Sequence, residues 1–404
     1  MSNYTAYSSR ARRGGNNFSS GNRSSYSSSR PKKRGGMAKQ YIHPSKFVQA
    51  AKSVETVAYV PLNAFADFTL LPIIHENIAK KGYIIPSPIQ DQTIALGLEG
   101  RDVIGLANTG TGKTAAFLIP ILQRVLTEGA KALIVAPTRE LALQIEEEFA
   151  SFAKGSGISG AVLIGGSSMG MQLRELRSNP SIVFGTPGRI KDHVERGTLN
   201  LANFNIAVLD EVDRMLDMGF VTDITYLLDL TAQPRQSLFF SATMDSRVAT
   251  LTGKFMNDPI TISVVTGPTC DNVEQDVIHY EPHEDKLSKL HDLLISKGVS
   301  KALVFDDTQR SVEKLSTQLI ARGFAADAIH GGKSQGQRQR ALKRFKDNEV
   351  TVLVATDVAA RGIDVVDISH VINYSTPNSY DDYVHRIGRT GRAGSKGFAF
   401  TFVD

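Results

Sequence analysis

The chain has 404 residues, 41% of them apolar and 22% charged, the usage of an ordinary globular protein with room for two or three domains. Its one cysteine, Cys270, excludes an intramolecular disulfide and points to a reducing compartment. No apolar run approaches a membrane span, and the N-terminal residues lack the apolar core of a secretory signal. A soluble protein without membrane contact is expected, cytoplasmic or, in a eukaryote, nuclear. The net charge of +5 is uneven: residues 1–36 hold eight basic side chains and no acid, leaving 38 basic against 41 acidic residues elsewhere.

Residues 1–36 are rich in Ser, Gly and Arg, with Tyr4, Tyr7, Phe18 and Tyr26 between the charges. Such a segment buries too little apolar surface to offset its chain entropy, so disorder is expected. Arginines interleaved with aromatics suit loose contact with single-stranded nucleic acid; a nuclear-import patch at 31–34 or a plain solubilising tail are the alternatives. A flank, 37–63, follows. Over 64–265 the pattern alternates, with helices at 70–82, 88–100, 113–129 and 140–154 and strands at 103–106, 132–136, 161–164, 182–184, 206–209 and 237–240. That alternation predicts a doubly wound α/β domain. A linker at 266–275 leads into a second α/β pattern over 276–404, with strands at 302–305, 326–329, 351–355, 371–374 and 398–402 and helices at 286–297, 311–322 and 337–347. Two such domains on a short hinge imply a cleft between them.

Strand 103–106 runs into Ala107-Asn108-Thr109-Gly110-Thr111-Gly112-Lys113-Thr114 and then a helix. This is the phosphate loop G-x-x-x-x-G-K-[ST] with Ala107 in place of the first glycine. Backbone N–H groups freed by Gly110 and Gly112 turn on the phosphates, Lys113 reaches the β/γ-phosphates, and the Thr114 hydroxyl suits Mg²⁺. Nucleoside-triphosphate binding follows. Three further strands end in Pro137-Thr138-Arg139, Gly165-Gly166 and Thr186-Pro187-Gly188-Arg189. Each could be a turn with a helix cap, but Thr138, Arg139, Thr186 and Arg189 can also pair with phosphate oxygens. Strand 206–209 ends in Asp210-Glu211-Val212-Asp213, at the strand edge where ligands of open α/β sheets bind. Asp210 is placed to hold Mg²⁺, directly or through water, and Glu211 to orient or deprotonate a water.

Asp210-Glu211-Val212-Asp213, joined to Ser241-Ala242-Thr243 and to His385-Arg386-Ile387-Gly388-Arg389-Thr390-Gly391-Arg392, resembles the DEAD-box family of ATP-dependent RNA helicases. The resemblance covers about residues 64–404, with Val212 in place of the family's alanine. It implies two tandem RecA-like domains, ATP and Mg²⁺ as cofactors, and RNA as partner. Gly82-Tyr83 through Gln90, with Phe65 seventeen residues before Gly82, resembles the adenine-sensing element, where a Gln amide reads the base edge and an aromatic covers its face. By the same resemblance Pro137, Thr138, Arg139, Gly166, Thr186, Gly188, Arg189, Gln335, Arg338 and Thr356 contact the RNA backbone. Gly362 and Asp364 serve the ATP ribose, Asp213, Ser241, Thr243 and His385 couple the domains, and Arg389 and Arg392 are arginine fingers. The family pattern would also carry the second domain through a further helix past Asp404.

These readings combine into an ATP site shared between domains, whose closure RNA favours, with local opening of short duplexes or remodelling of RNA–protein particles. Proteins of such particles are possible partners, and the chain is expected to act as a monomer. An ATP-gated RNA clamp and, more remotely, a DNA-directed translocase are the alternatives.

Overall fold

The computed structural model describes residues 42–51, 59–108, 110–264, 272–281, 285–360, 365, 367–391 and 395–404. The expected disordered tail at 1–36 lies outside them, as do Thr109, Gly362, Asp364 and Arg392. No helix among the described residues is long and apolar enough to cross a membrane.

The first domain opens with α1 (Pro72–Lys80) and α2 (Pro88–Leu98). It continues through β1 (Val103–Leu106), α3 (Lys113–Glu128), β2 (Ala132–Val135), α4 (Arg139–Phe152), β3 (Gly160–Leu163), α5 (Met169–Arg177) and β4 (Ile182–Gly185). It closes with α6 (Pro187–Glu195), β5 (Ile206–Leu209), α7 (Val212–Asp217), α8 (Val221–Asp229), β6 (Gln236–Ser241), α9 (Ser246–Phe255) and β7 (Ile260–Ser263). Its seven strands run in the order β3-β4-β2-β5-β6-β1-β7, parallel throughout. Central strands such as β2, β5 and β6 are buried along their whole length, which explains their unbroken apolar runs.

The second domain comprises β8 (Val273–His279), α10 (Lys286–Leu294), β9 (Ala302–Phe305), α11 (Gln309–Ala321), β10 (Ala326–Ile329), α12 (Gln335–Lys346) and β11 (Val352–Ala355). After them come α13 (Asp357–Ala360), β12 (His370–Asn373), α14 (Tyr380–Ile387) and β13 (Gly397–Val403). Its six parallel strands order as β10-β11-β9-β12-β13-β8. The doubly wound expectation is met twice.

Differences from the sequence reading have local causes. Residues 273–275, expected in the linker, open β8, whose alternate burial masks it as polar chain. The edge strand β7 was not foreseen; only Ile262 of it is fully buried. The first helix starts at Pro72, whose ring fits the first turn, rather than at residue 70. Within the flank, a short 3-10 turn, Pro44–Phe47, sends Phe47 into the second-domain core beside Val273 and Tyr383.

Candidate nucleotide site and nucleic-acid face

Topology divides the ligand edge of the first sheet. Strands β5, β6 and β1 are neighbours and carry Asp210–Asp213, Ser241–Thr243 and the phosphate loop; β3, β4 and β2 are neighbours and carry Gly165–Gly166, Thr186–Arg189 and Pro137–Arg139. A nucleotide half and a second, phosphate-pairing half therefore meet where β2 pairs with β5.

Lys113 is buried at the start of α3, and its ammonium donates to the Ala107 carbonyl at 2.8 Å, closing the loop on itself. Ala107, buried where the motif has glycine, donates its N–H to the Ser241 carbonyl at 3.0 Å. Gly110 and Gly112 have φ of 84° and 92°, the left-handed region that glycine enters without strain. Gly112 is doubly required, since a Cβ there would lie 2.4 Å from the Gln90 amide nitrogen. That nitrogen donates to the Gly112 carbonyl at 3.2 Å, and the Gln90 Oε1 accepts from the Ser87 N–H at 2.9 Å. Ser87 Oγ in turn donates to the Thr111 carbonyl, and Thr111 Oγ1 to that of Asn108. Gln90 thus welds α2 to the phosphate loop, with half of its amide capacity left for a base.

The aromatic expectation is corrected in part. Tyr83 stacks on Phe65 (centroids 5.9 Å apart), meets Phe152 edge-on and donates to Glu148. It belongs to the packing at the far end of α4, not to the loop side of the sheet. Phe65 is itself a core residue, touching Phe68.

Asp210 is buried, and its Oδ1 accepts from the Glu211 N–H at 2.9 Å. Burial pushes its carboxyl up to about 6 against the pull of Lys113. A buried negative charge so short of compensation fits a hard cation, with Thr114 in the first turn of α3 and phosphate or water completing the shell. No cluster of three or more His, Cys, Asp or Glu forms a metal cage among the described residues. Glu211 caps α7 in a left-handed conformation, φ 53°. Burial would raise its carboxyl, but Arg214, Arg389 and Lys113 outweigh it and hold it at about 2. Arg214 Nη1 reaches Glu211 Oε2 at 3.0 Å, both nearly sealed from solvent. Val212 is wholly buried among the core residues of α7 and β5, so the extra methyls relative to alanine are filled space.

Asp213 Oδ2 accepts from the Ala242 and Thr243 N–H groups and the Thr243 hydroxyl, while Ser241 Oγ accepts from the Asp213 N–H. The α7 and β6 ends are thereby locked together. From the second domain, His385 and Arg389 line a 10 Å³ cavity with Arg214. Burial, with Arg214 and Arg389, pushes His385 down to about 4, so its ring is neutral. Arg386 is fixed by Asp357 through two bonds of 2.6 and 2.7 Å and by the Ser375 carbonyl at 2.7 Å. The sequence reading missed Arg214 and Arg386. The i,i+3 spacing of Arg214 from Glu211 was its available signal.

On the other half of the edge, Thr138 caps α4. The Arg139 guanidinium lies on Gly165 and Gly166, where a Cβ would come within 2.9 and 2.5 Å of it. Thr186 precedes α6, Gly188 has open space above it, and Arg189 is 3.7 Å from Asp192 with Nη1 buried and unbonded. Pro137 is buried, and the Thr356 carbonyl accepts from the N–H groups of Ala359 and Ala360 in α13. Gln335 and Arg338 are not open to solvent as backbone-contact residues would be. Arg338 pairs with Glu140 of the first domain at 2.8 Å, and Gln335 donates to the same carboxylate at 3.2 Å. Glu140 was not foreseen; its place in the first turn of α4 disguised it as a helix-cap acid.

Together these features define a two-domain P-loop nucleoside triphosphatase with parts of its site on both domains. The DEAD/DEAH box helicase profile matches residues 87–251 and the helicase conserved C-terminal domain profile residues 285–394. The DEAD-box ATP-dependent RNA helicase CshA of Bacillus subtilis is 43% identical over 342 residues, 84% of this chain and 69% of that protein. Saccharomyces cerevisiae Dbp5 bound to RNA and ADP BeF3 aligns with TM-score 0.74 at 30% identity, covering 84% of this chain and 89% of that one. A DEAD box protein of Methanococcus jannaschii aligns at 0.51 with 40% identity, covering 85% and 94%. The chain belongs to the DEAD-box RNA helicase family.

Proposed function

We propose that this chain is an RNA-stimulated ATPase that opens short RNA duplexes or remodels RNA–protein particles. Arg389 of the second domain lines one small cavity with Arg214 of the first, and Arg214 is paired with Glu211 at 3.0 Å, so the acid and the arginine from the two domains meet at one place; this observation carries the reading. The first domain, 64–265, supplies the phosphate loop, Asp210 and Glu211; the second, from Val273, supplies Arg389. Arg392, with Gly362 and Asp364 for the ribose, joins them by resemblance.

Lys113 and the N–H groups of residues 108–114 hold the β- and γ-phosphates. Thr114 and Asp210 would hold Mg²⁺, whose charge supports the phosphates in the transition state. Glu211 stays ionised and orients a water by accepting its proton in a hydrogen bond. Arg389 meets charge developing on the γ-phosphate. Gln90 serves the adenine. Asp213, Ser241, Thr243 and His385 transmit domain contact to the site. Thr138, Arg139, Gly166, Thr186, Gly188, Arg189 and Thr356 follow an RNA backbone, with Gln335 and Arg338 bridging the domains beside it. Backbone contacts give little sequence preference and a steep salt dependence. The protein acts as a monomer in the cytoplasm, alongside proteins of the particles it remodels. The resemblance in shape to Dbp5 in complex with RNA and ADP BeF3 supports reading the docked arrangement as the RNA-engaged one. Steady-state ATPase assays with RNA and DNA strands of one sequence test this: strong stimulation by RNA alone is expected, and equal stimulation by DNA would refute it.

A further inference from the structure

Residues 42–51 and 59–63 precede both regions matched by the family profiles, yet the first group touches the second domain and the second group the first. At one end Phe47, fully buried, packs on Tyr383 of α14 with centroids 4.7 Å apart. Gln49 and Gln275 of β8 exchange two backbone hydrogen bonds of 3.0 and 2.8 Å, and Tyr383 donates to the Gln275 side chain at 2.8 Å. At the other end Asp91, wholly buried, gathers the Tyr59 hydroxyl at 2.6 Å, the Leu62 N–H at 2.7 Å, and the N–H and side-chain amide of Asn63 at 3.1 and 2.7 Å.

Both anchors adjoin the ATP site. Asp91 follows Gln90, which is bonded to the phosphate loop; Tyr383 lies on the helix that carries His385 and leads to Arg389. We propose that the anchors at 42–51 and 59–63, lying on one continuous chain, act as a strap that holds the Arg389-bearing helix within reach of the phosphate loop, with Phe47 as a positioning residue for hydrolysis. The inference rests on the RNA-stimulated ATPase reading above.

Ten residue steps separate Gln49 from Tyr59, and ten separate Ser263 from Val273, each spanning at most about 33–36 Å. The second domain therefore hangs from two points of the first, and its attachment at β8 must stay within both reaches. A second tether raises the effective concentration of one domain near the other. It acts on docking, before any contact with substrate.

The test uses the full chain with Phe47→Ala, Asp91→Asn and the double variant. Each single change is expected to raise the RNA concentration for half-maximal ATPase stimulation about tenfold. The rate at saturating RNA and nucleotide affinity without RNA should stay within about twofold. Because both changes cut one strap, the double variant should match a single one, whereas separate local damage would multiply. Phe47→Leu should restore near-normal stimulation. Gln49→Pro, which removes one edge hydrogen bond without opening a cavity, should repeat the shift if Phe47→Ala folds poorly. Multiplying effects, an unshifted RNA dependence, or a loss confined to the saturated rate would overturn the strap. A wild-type chain that ignores RNA would instead overturn the function on which it rests, and the strap with it.

Discussion

Glu140→Gln is the sharpest perturbation of the domain contact. The substitution keeps shape and removes one charge, leaving the Arg338 guanidinium, about 7% exposed as a side chain, facing a neutral amide. Breaking a buried ion pair from one side costs about 3–5 kcal/mol. Here the lower end applies, because Arg338 Nε and Gln335 Oε1 already lack partners and a 420 Å³ cavity beside them admits water. About 3 kcal/mol is roughly 150-fold in an equilibrium constant. The cost falls only on the docked arrangement, since apart from the first domain Arg338 would be hydrated. Fluorophores on the two domains, read by single-molecule energy transfer with RNA and a non-hydrolysable ATP analogue, should show the docked fraction collapse. The melting temperature should stay near that of the wild type. A preserved docked fraction, or a fall in melting temperature instead, would refute this account of Glu140.

Arg389→Ala should lower the RNA-stimulated rate by about 10³ and leave nucleotide affinity within a few-fold; loss of binding would mean that Arg389 holds ground-state phosphates. Glu211→Gln should abolish turnover yet retain ATP-dependent RNA binding, and if cells tolerate it while Lys113→Ala is defective, clamping is the task. Gly112→Ala should weaken nucleotide binding by at least tenfold, because it forces an L-residue to φ 92° and displaces Gln90; unchanged affinity in equilibrium titration would argue against the weld between α2 and the loop. Removing residues 1–36 should weaken RNA binding and flatten its salt dependence without removing ATPase activity, and an unaltered salt slope would mark the tail as inert.

Both parallel sheets were legible in the sequence because buried strands such as 206–209 and 302–305 are continuous apolar runs between turn signals. The phosphate loop and the acidic strand end were legible because their chemistry fixes residue types at short spacing. What escaped was long-range. Glu140 looks like a helix-cap acid until Arg338, nearly two hundred positions later, is set against it. Tyr83 sits inside an adenine-like motif, yet Glu148 and Phe152 draw it to the other end of α4. Phe47 lies in a polar flank, and only the fold reveals that its pocket belongs to the second domain. β8 and β7 were blurred or missed because an edge strand with one wet face lacks the continuous apolar signal.

The central claim is that nucleotide and RNA are bound by one closing event across the two domains. Its direct test is reciprocity: measure the affinity for a non-hydrolysable ATP analogue with and without RNA, and for RNA with and without the analogue. The account predicts that each ligand tightens the other by the same factor, about tenfold or more. RNA that speeds hydrolysis while leaving analogue affinity untouched would contradict it.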